Sequence, residues 1–127
     1  MSWELVGEFA VGGTTDVGFS SNSKFLLVAS SQGRGVFDVS RCERVARDYE
    51  APGNWHNGIT VAGIGPLDGE EVLVHGFGNP TTSEVMEQLD GFDLEGHVTE
   101  FVAASISANE QYLVIGYSSD VQLYRRA

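Results

Sequence analysis

Apolar residues occur in this chain as short runs that are separated by clusters of Gly, Ser, Asn and Asp. No stretch combines a sustained helical period of about 3.6 residues with helix caps at its ends. Short apolar runs bounded by turn residues are typical of strands, so the pattern predicts an all-β chain. The predicted strands are residues 4–10, 16–19, 25–30, 35–39, 44–49, 59–64, 72–77, 88–94, 97–101, 103–106, 112–117 and 121–125.

Residues 19–37 recur without a gap at residues 106–124, which lie 87 positions later. Apolar, small and turn residues stay in step in the two copies, as in the pairs Phe19/Ile106, Ser20/Ser107, Asn22/Asn109, Phe25/Tyr112, Leu26/Leu113 and Phe37/Tyr124. A separation of 87 is about two units of roughly 43 residues, which is a common length for a propeller blade. A looser third copy lies between them, with residues 72–74 and 92–94 as its apolar segments and an insertion near residues 78–87.

The run Phe19-Ser20-Ser21-Asn22-Ser23-Lys24-Phe25-Leu26-Leu27, followed by Val36-Phe37-Asp38, resembles the blade pattern of WD-repeat and related β-propellers. In those families the third strand ends in an aromatic–acid pair, for which the chain has Phe37-Asp38 and Phe92-Asp93, and no Gly-His pair precedes any unit. The resemblance implies three four-stranded antiparallel units in a single domain, about residues 11–50, 57–101, and 102–127 with 1–10. The N-terminal strand would then complete the last unit.

Closed propellers typically have about four to eight blades, so three units leave two possible arrangements. The three sheets either close on a filled core as a compact pseudo-threefold monomer, or form half of a six-bladed ring made by two chains. The sequence does not distinguish the two, although a monomer needs no partner.

The chain has 127 residues, of which 42% are hydrophobic, and this suits one globular domain. Its single cysteine, Cys42, excludes internal disulfides, and the first residues carry no leader pattern, so we expect a cytoplasmic protein. Asp and Glu number 18 against 7 Lys and Arg, which gives a net charge of −11. Residues 48–124 hold thirteen acids and no Lys or Arg, so binding to nucleic acid or to an anionic membrane is not expected.

No enzyme motif is present: the chain has no nucleophile elbow, phosphate-binding loop, dinucleotide fingerprint or Cys-x-x-Cys. His56, His75 and His97 are spaced about 20 residues apart. Three histidines with unrelated roles are a better interpretation of this spacing than a shared metal site. We therefore expect no catalytic residues, no metal and no cofactor. Asp90 and Asp93 would be the carboxylates of a hydrolase, which is the least favoured of three functions.

The favoured function is a non-catalytic module whose acidic surface captures a basic protein partner. That surface comprises Asp68, Glu70, Glu71, Glu84, Glu87, Asp90, Asp93 and Glu95, with Trp55 as an interface anchor in its loop. The chain is similar in physical type to the small acidic immunity proteins that neutralise bacterial nuclease toxins, which implies fast, salt-sensitive association. The alternative is a propeller of two chains that binds a small molecule or glycan beside Trp55.

Overall fold

The computed structural model describes residues 3–49, 58–61, 65–67, 71–76 and 101–126. Within these residues the chain forms ten β-strands, one 3-10 helix at Gly65–Leu67 and no α-helix, so the predicted all-β class is confirmed. In chain order the strands are β1 (Trp3–Ala10), β2 (Thr14–Ser20), β3 (Phe25–Ser30), β4 (Gly33–Asp38), β5 (Glu43–Asp48), β6 (Gly58–Val61), β7 (Glu71–Gly76), β8 (Phe101–Ile106), β9 (Tyr112–Tyr117) and β10 (Asp120–Arg126). No helix in this part of the chain is long and apolar enough to cross a membrane.

The strands form two antiparallel sheets. The terminal sheet has the order β1-β10-β9-β8, and the large sheet has the order β5-β4-β3-β2-β7-β6. The predicted pairing of the first strand with the last unit is confirmed, because β1 pairs with β10 from Trp3 opposite Arg126 to Ala10 opposite Asp120. This pairing covers one edge of β10 and joins the two ends of the chain.

The middle of the chain differs from the predicted arrangement of three separate sheets. Strand β7 forms a hairpin with β6, but its other edge pairs with β2, so that the described strands of the predicted middle unit extend the sheet formed by β2–β5. Strand β2 is buried along almost its whole length. Its free edge therefore needs hydrogen-bond partners from the chain, and β7 supplies them.

The core lies on both faces of the sheets. The main cluster joins the two sheets and includes Val17, Phe19, Leu26, Val28, Phe37, Val114 and Leu123. A second cluster around Trp3, Leu113 and Ile115 covers the opposite face of the terminal sheet, and a third, Leu27, Val36 and Val72, covers the opposite face of the large sheet. Because β3 and β9 are buried on both faces, their apolar runs are continuous rather than alternating.

This two-sided burial places the matched residues differently in the core. Phe25 and Tyr112 occupy matched positions and would be expected in the core, yet both side chains are only partly buried. Leu26 and Leu113 are one of the matched pairs that are fully buried, each with no exposed surface. The sequence pattern identifies the equivalent positions, but it does not indicate which member of an apolar run fills the larger core.

We expect Leu26→Ala and Leu113→Ala each to lower the free energy of unfolding by about 3 kcal/mol, because each truncation leaves a cavity in a fully buried site. The control Leu5→Ala removes a side chain that is 50% exposed and should cost less than about 1 kcal/mol. Urea unfolding of the three variants measures the differences. A loss at Leu113 no larger than the loss at Leu5 would contradict the placement of Leu113 in the core.

Candidate functional site

Most of the predicted partner-binding residues lie outside the described residues: Trp55, Asp68, Glu70, Glu84, Glu87, Asp90, Asp93 and Glu95. The exception is Glu71, whose backbone begins β7 opposite Val61 of β6. His56 and His97 also lie outside, while the backbone of His75 pairs with Val17 of β2. The predicted acidic surface therefore stays a prediction, and the described residues offer two other candidate sites, which are surface cavities.

The first cavity lies beside two turns that have the same pattern of hydrogen bonds. In the β2–β3 turn, the Ser20 hydroxyl donates to Asn22 Oδ1 at 2.6 Å and accepts from the Phe25 amide at 3.1 Å. In the β8–β9 turn, Ser107 makes the same bonds to Asn109 at 2.6 Å and to the Tyr112 amide at 3.0 Å. Each asparagine also accepts from the backbone amide two residues later, at 3.0 Å in both turns. A Ser and an Asn at this spacing thus satisfy the backbone groups of a tight turn.

The two turns are also bonded to each other. The backbone N–H of Asn109 donates to the Ser23 hydroxyl at 3.0 Å. Ser23 is buried and has a left-handed backbone with φ of 61°. A cavity of about 510 Å³ opens beside this contact, and it is lined by Asn22, Ser23, Lys24, Phe25, Asp38, Val39, Ser40, Asn109 and Tyr112. An aromatic ring from each turn, Phe25 or Tyr112, thus lies beside amide, hydroxyl and charged groups. Such a combination suits a small polar ligand.

Asp38 is the carboxylate of this cavity, and its acceptor positions are largely occupied. It accepts from the Ser40 hydroxyl at 2.8 Å and from the amides of Ser40 and Arg41 at 3.0 and 3.1 Å. The Ser40 hydroxyl, above all, lowers the pKa of Asp38 below its ordinary value; partial burial opposes this shift, while the two amides and Arg41 add to it. Asp38 is therefore ionised at neutral pH, where it is suited to hold the β4–β5 turn rather than to donate a proton.

The second cavity lies on the face of the large sheet that carries Phe37, at its β4–β5 edge. It has a volume of about 150 Å³, and its described lining residues include Arg34, Arg44 and Arg47 but no Asp or Glu. Four of the seven basic residues fall between positions 34 and 47, so the cluster is visible in the sequence. A site could not be predicted from it, because strand alternation alone would send Arg44 and Arg47 to opposite faces.

Arg34 has a partner of its own on the opposite face of the sheet. Its guanidinium binds both carboxylate oxygens of Asp48, with its Nε 3.0 Å from Oδ1 and 2.9 Å from Oδ2, while its Nη2 is ion-paired with Oδ2. The Arg34 side chain is only 4% exposed. Arg34 of β4 lies directly opposite Asp48 of β5 in the sheet, so the ion pair joins the two strands. This geometry indicates a structural ion pair that stabilises the edge of the large sheet.

Metal binding and thiol chemistry depend on the His, Cys, Asp and Glu side chains. The described residues contain no group of three His, Cys, Asp or Glu that could hold a metal ion. Burial raises the pKa of Cys42, the charge of Arg125 opposes this shift and the charge of Asp38 adds to it, so its thiol is protonated near neutral pH. A protonated thiol is a poor nucleophile.

A search of family models, curated proteins and solved structures finds no match to this chain. Its function is therefore inferred from its own charges, turns and cavities.

We expect Asn22→Ala and Asn109→Ala each to destabilise the protein by about 1 to 2 kcal/mol, because each asparagine Oδ1 accepts two hydrogen bonds in its turn. Ser21→Ala is the control, since this exposed neighbour makes none of these bonds, and it should change stability by less than about 0.5 kcal/mol. Thermal and urea unfolding provide the measurement. If Asn109→Ala were as mild as Ser21→Ala, the matched role of the two asparagines would be wrong.

Proposed function

We propose that the protein is a non-catalytic binding module whose acidic surface captures a basic protein partner. The net charge of −11 and the thirteen acids of residues 48–124, with no Lys or Arg among them, motivate this proposal. A field of this sign raises the local concentration of a cationic partner and speeds its association. Asp68, Glu70, Glu71, Glu84, Glu87, Asp90, Asp93 and Glu95 would form the acidic surface, with Trp55 as an apolar anchor.

The observation that carries the proposal is which carboxylates the described arginines pair with. Arg34 pairs with Asp48, Arg41 pairs with Asp38 and Glu43, and Arg125 pairs with Glu4. Arg126 lies over the Trp3 ring and donates to the Glu110 carbonyl oxygen. In the described part of the chain, the carboxylates in these pairs belong to residues 4–48. In this proposal the acids that follow in the sequence are the ones that meet a partner's cations.

A basic nuclease is a partner that would fit such a surface. Its phosphate-binding residues are cationic, and a row of carboxylates can take the place of the nucleic-acid backbone. Binding of this kind weakens as salt screens the charges, since the Debye length falls from about 10 Å at 0.1 M salt to about 3 Å at 1 M. An immunity protein for a nuclease toxin is therefore the specific role we propose within the binding class.

To test this function, the immobilised protein is exposed to a lysate of its source organism at low salt, and the captured protein is identified, purified and titrated. We expect one basic protein whose affinity falls at least about tenfold when salt is raised from about 0.05 to 0.3 M. The variant Glu84→Gln, Glu87→Gln, Asp90→Asn and Asp93→Asn should weaken binding strongly. The control Glu4→Gln, Glu8→Gln, Glu43→Gln and Glu110→Gln removes the same charge from described strands and turns and should bind nearly normally.

Two results would contradict the proposal. Capture that is insensitive to salt would show that the carboxylates do not drive binding. Equal weakening by the two fourfold variants would show that only the net charge matters, and that residues 84–93 form no defined surface.

We further propose that the chain is a propeller-like assembly of three units, about residues 11–50, 57–101, and 102–127 with 1–10, in a compact monomer. Two observations support this. Strands β2–β5 and strands β8–β9–β10–β1 each follow the strand order of a blade. The turns at Ser20 and Ser107 also have the same pattern of hydrogen bonds. The other arrangement is half of a six-bladed ring formed by two chains.

Light scattering should give the mass of one chain, 13.7 kDa, at micromolar concentration. A mass of two chains that persists on dilution would contradict the monomer and favour the six-bladed ring. That result would also strengthen the second candidate function, binding of a small molecule or glycan. The observation in favour of this second candidate is the cavity of about 510 Å³, where Phe25 and Tyr112 occupy equivalent positions of two turns beside Asn22 and Lys24.

A further inference from the structure

The 150 Å³ cavity on the Phe37 face of the large sheet is positively charged in a chain of net charge −11. Its lining includes Arg44 and Arg47 of β5, together with Gly33, Gly35 and Phe37 of β4, the last residue of β1 and the two residues after it. No carboxylate is among the described residues that line it. We call it the arginine cavity.

A β-bulge brings Arg44 and Arg47 to the same face of the sheet. Residues three apart in a regular strand point to opposite faces. Here Val36 pairs with Ala46 but Phe37 pairs with Arg44, so that Val45 is an extra residue on β5. Gly35 pairs with Arg47, and because Gly35 and Phe37 share a face, their partners Arg47 and Arg44 share it as well. Bulges of this kind often re-aim side chains next to functional sites.

Arg34 contributes little of its charge to this cavity. Its register partner is Asp48, and both lie on the face opposite Gly35 and Phe37, where the carboxylate neutralises the guanidinium. The charge of the arginine cavity therefore comes from Arg44 and Arg47.

These two guanidinium groups make ring contacts but no polar ones in the part of the chain that the structure describes. The Arg44 guanidinium carbon lies 5.3 Å from the centre of the Phe37 ring, and that of Arg47 lies 4.7 Å from the centre of the Tyr49 ring. A contact through the flat face of a guanidinium leaves the N–H donors at its edge available to a ligand. Both arginines thus lie against an aromatic ring and keep N–H donors that no described residue uses.

Glycine keeps the floor of the cavity open. A Cβ atom on Gly35 would lie 3.2 Å from Cε1 of Phe37 and 3.5 Å from Nε of Arg44, so that a side chain there would crowd both groups. The cavity volume is about that of five water molecules at roughly 30 Å³ each, which is enough for one small tetrahedral anion. A polyanion such as nucleic acid would instead meet the repulsion of the whole chain.

We propose that the arginine cavity binds a phosphate-sized oxyanion, held by the guanidinium groups of Arg44 and Arg47. Arginine matches the oxygens of such an anion through paired N–H donors, which a lysine cannot provide. An anion would also offset the mutual repulsion of the two guanidinium groups. The site uses residues of β4 and β5 and not the acidic segment, so it is independent of the capture of a basic partner.

The test is a titration of the ¹⁵N-labelled protein with inorganic phosphate, followed by NMR at constant ionic strength and near neutral pH. We expect saturable shifts of the Gly12 and Gly35 amides and of the Nε signals of Arg44 and Arg47. A parallel titration with methyl phosphate distinguishes free phosphate from a phosphate monoester, and the tighter of the two identifies the source.

Arg44→Gln and Arg47→Gln should each weaken binding about tenfold, the loss of one charged hydrogen-bonding group. Arg44→Lys keeps the charge but loses the paired donors, and it should be intermediate. Arg41→Gln is the matched control, because this arginine of the β4–β5 turn pairs with Asp38 and Glu43 outside the cavity, and its loss should leave phosphate affinity nearly unchanged.

Shifts that do not saturate, or that fall away from Gly12 and Gly35, would overturn the proposal even if a variant failed to fold. Equal weakening by Arg41→Gln and Arg44→Gln would overturn it too, because binding would then reflect diffuse attraction rather than a site. Circular dichroism of each variant confirms that the fold is retained.

Discussion

The burial of β2 is the constraint on which the described structure depends. This strand pairs with β3 on one edge and β7 on the other, and Val17 and Phe19 belong to the cluster between the two sheets. It approaches β9 closely: a Cβ on Gly116 would lie 3.1 Å from Cγ2 of Thr14 and 3.2 Å from Cγ1 of Val17. A side chain at Gly116 would therefore push the sheets apart. One central strand thus connects strands β3–β5, the β6–β7 hairpin and the terminal sheet.

Charge is distributed in a way that separates two kinds of recognition. Ion pairs on β1, β4, β5 and β10 use arginines to neutralise neighbouring carboxylates, and these pairs keep strand edges and turns in register. The acids of residues 50–120 have no Lys or Arg among them, while the two guanidinium groups of the arginine cavity lie on β5 and make no polar contact with the described residues. At long range the chain attracts cations, and at short range this one cavity is suited to an anion. A small anion and a basic protein could therefore bind to the same chain at different places.

The positions of the strands could be predicted from the sequence, but the pairing between strand edges that are distant in the chain could not all be predicted. The described strands followed from short apolar runs, and the pairing of β1 with β10 followed from the resemblance to propellers, which implies that the N-terminal strand completes the last unit. The pairing of β7 with β2 could not be predicted, because matched positions show which residues are alike and not which edges become neighbours. The arginine cavity was missed for a related reason, since the bulge at Val45 decides the face that Arg44 occupies. The predicted acidic site lies almost entirely outside the described residues, so it rests on the sequence alone.

The two matched turns differ at one position, and that difference concerns the contact between them. Ser23 and Glu110 are equivalent, and both have a left-handed backbone, with φ of 61° and 60°. Ser23 is buried, and its hydroxyl accepts from the backbone N–H of Asn109, which links the β2–β3 turn to the β8–β9 turn. Glu110 is exposed and charged, and its carbonyl oxygen accepts from Arg126 of β10. A carboxylate is costly to bury without a cationic partner, so a glutamate suits this position only where the turn meets solvent. Two turns with the same hydrogen bonds therefore differ at the one position where the first turn is buried and the other is not.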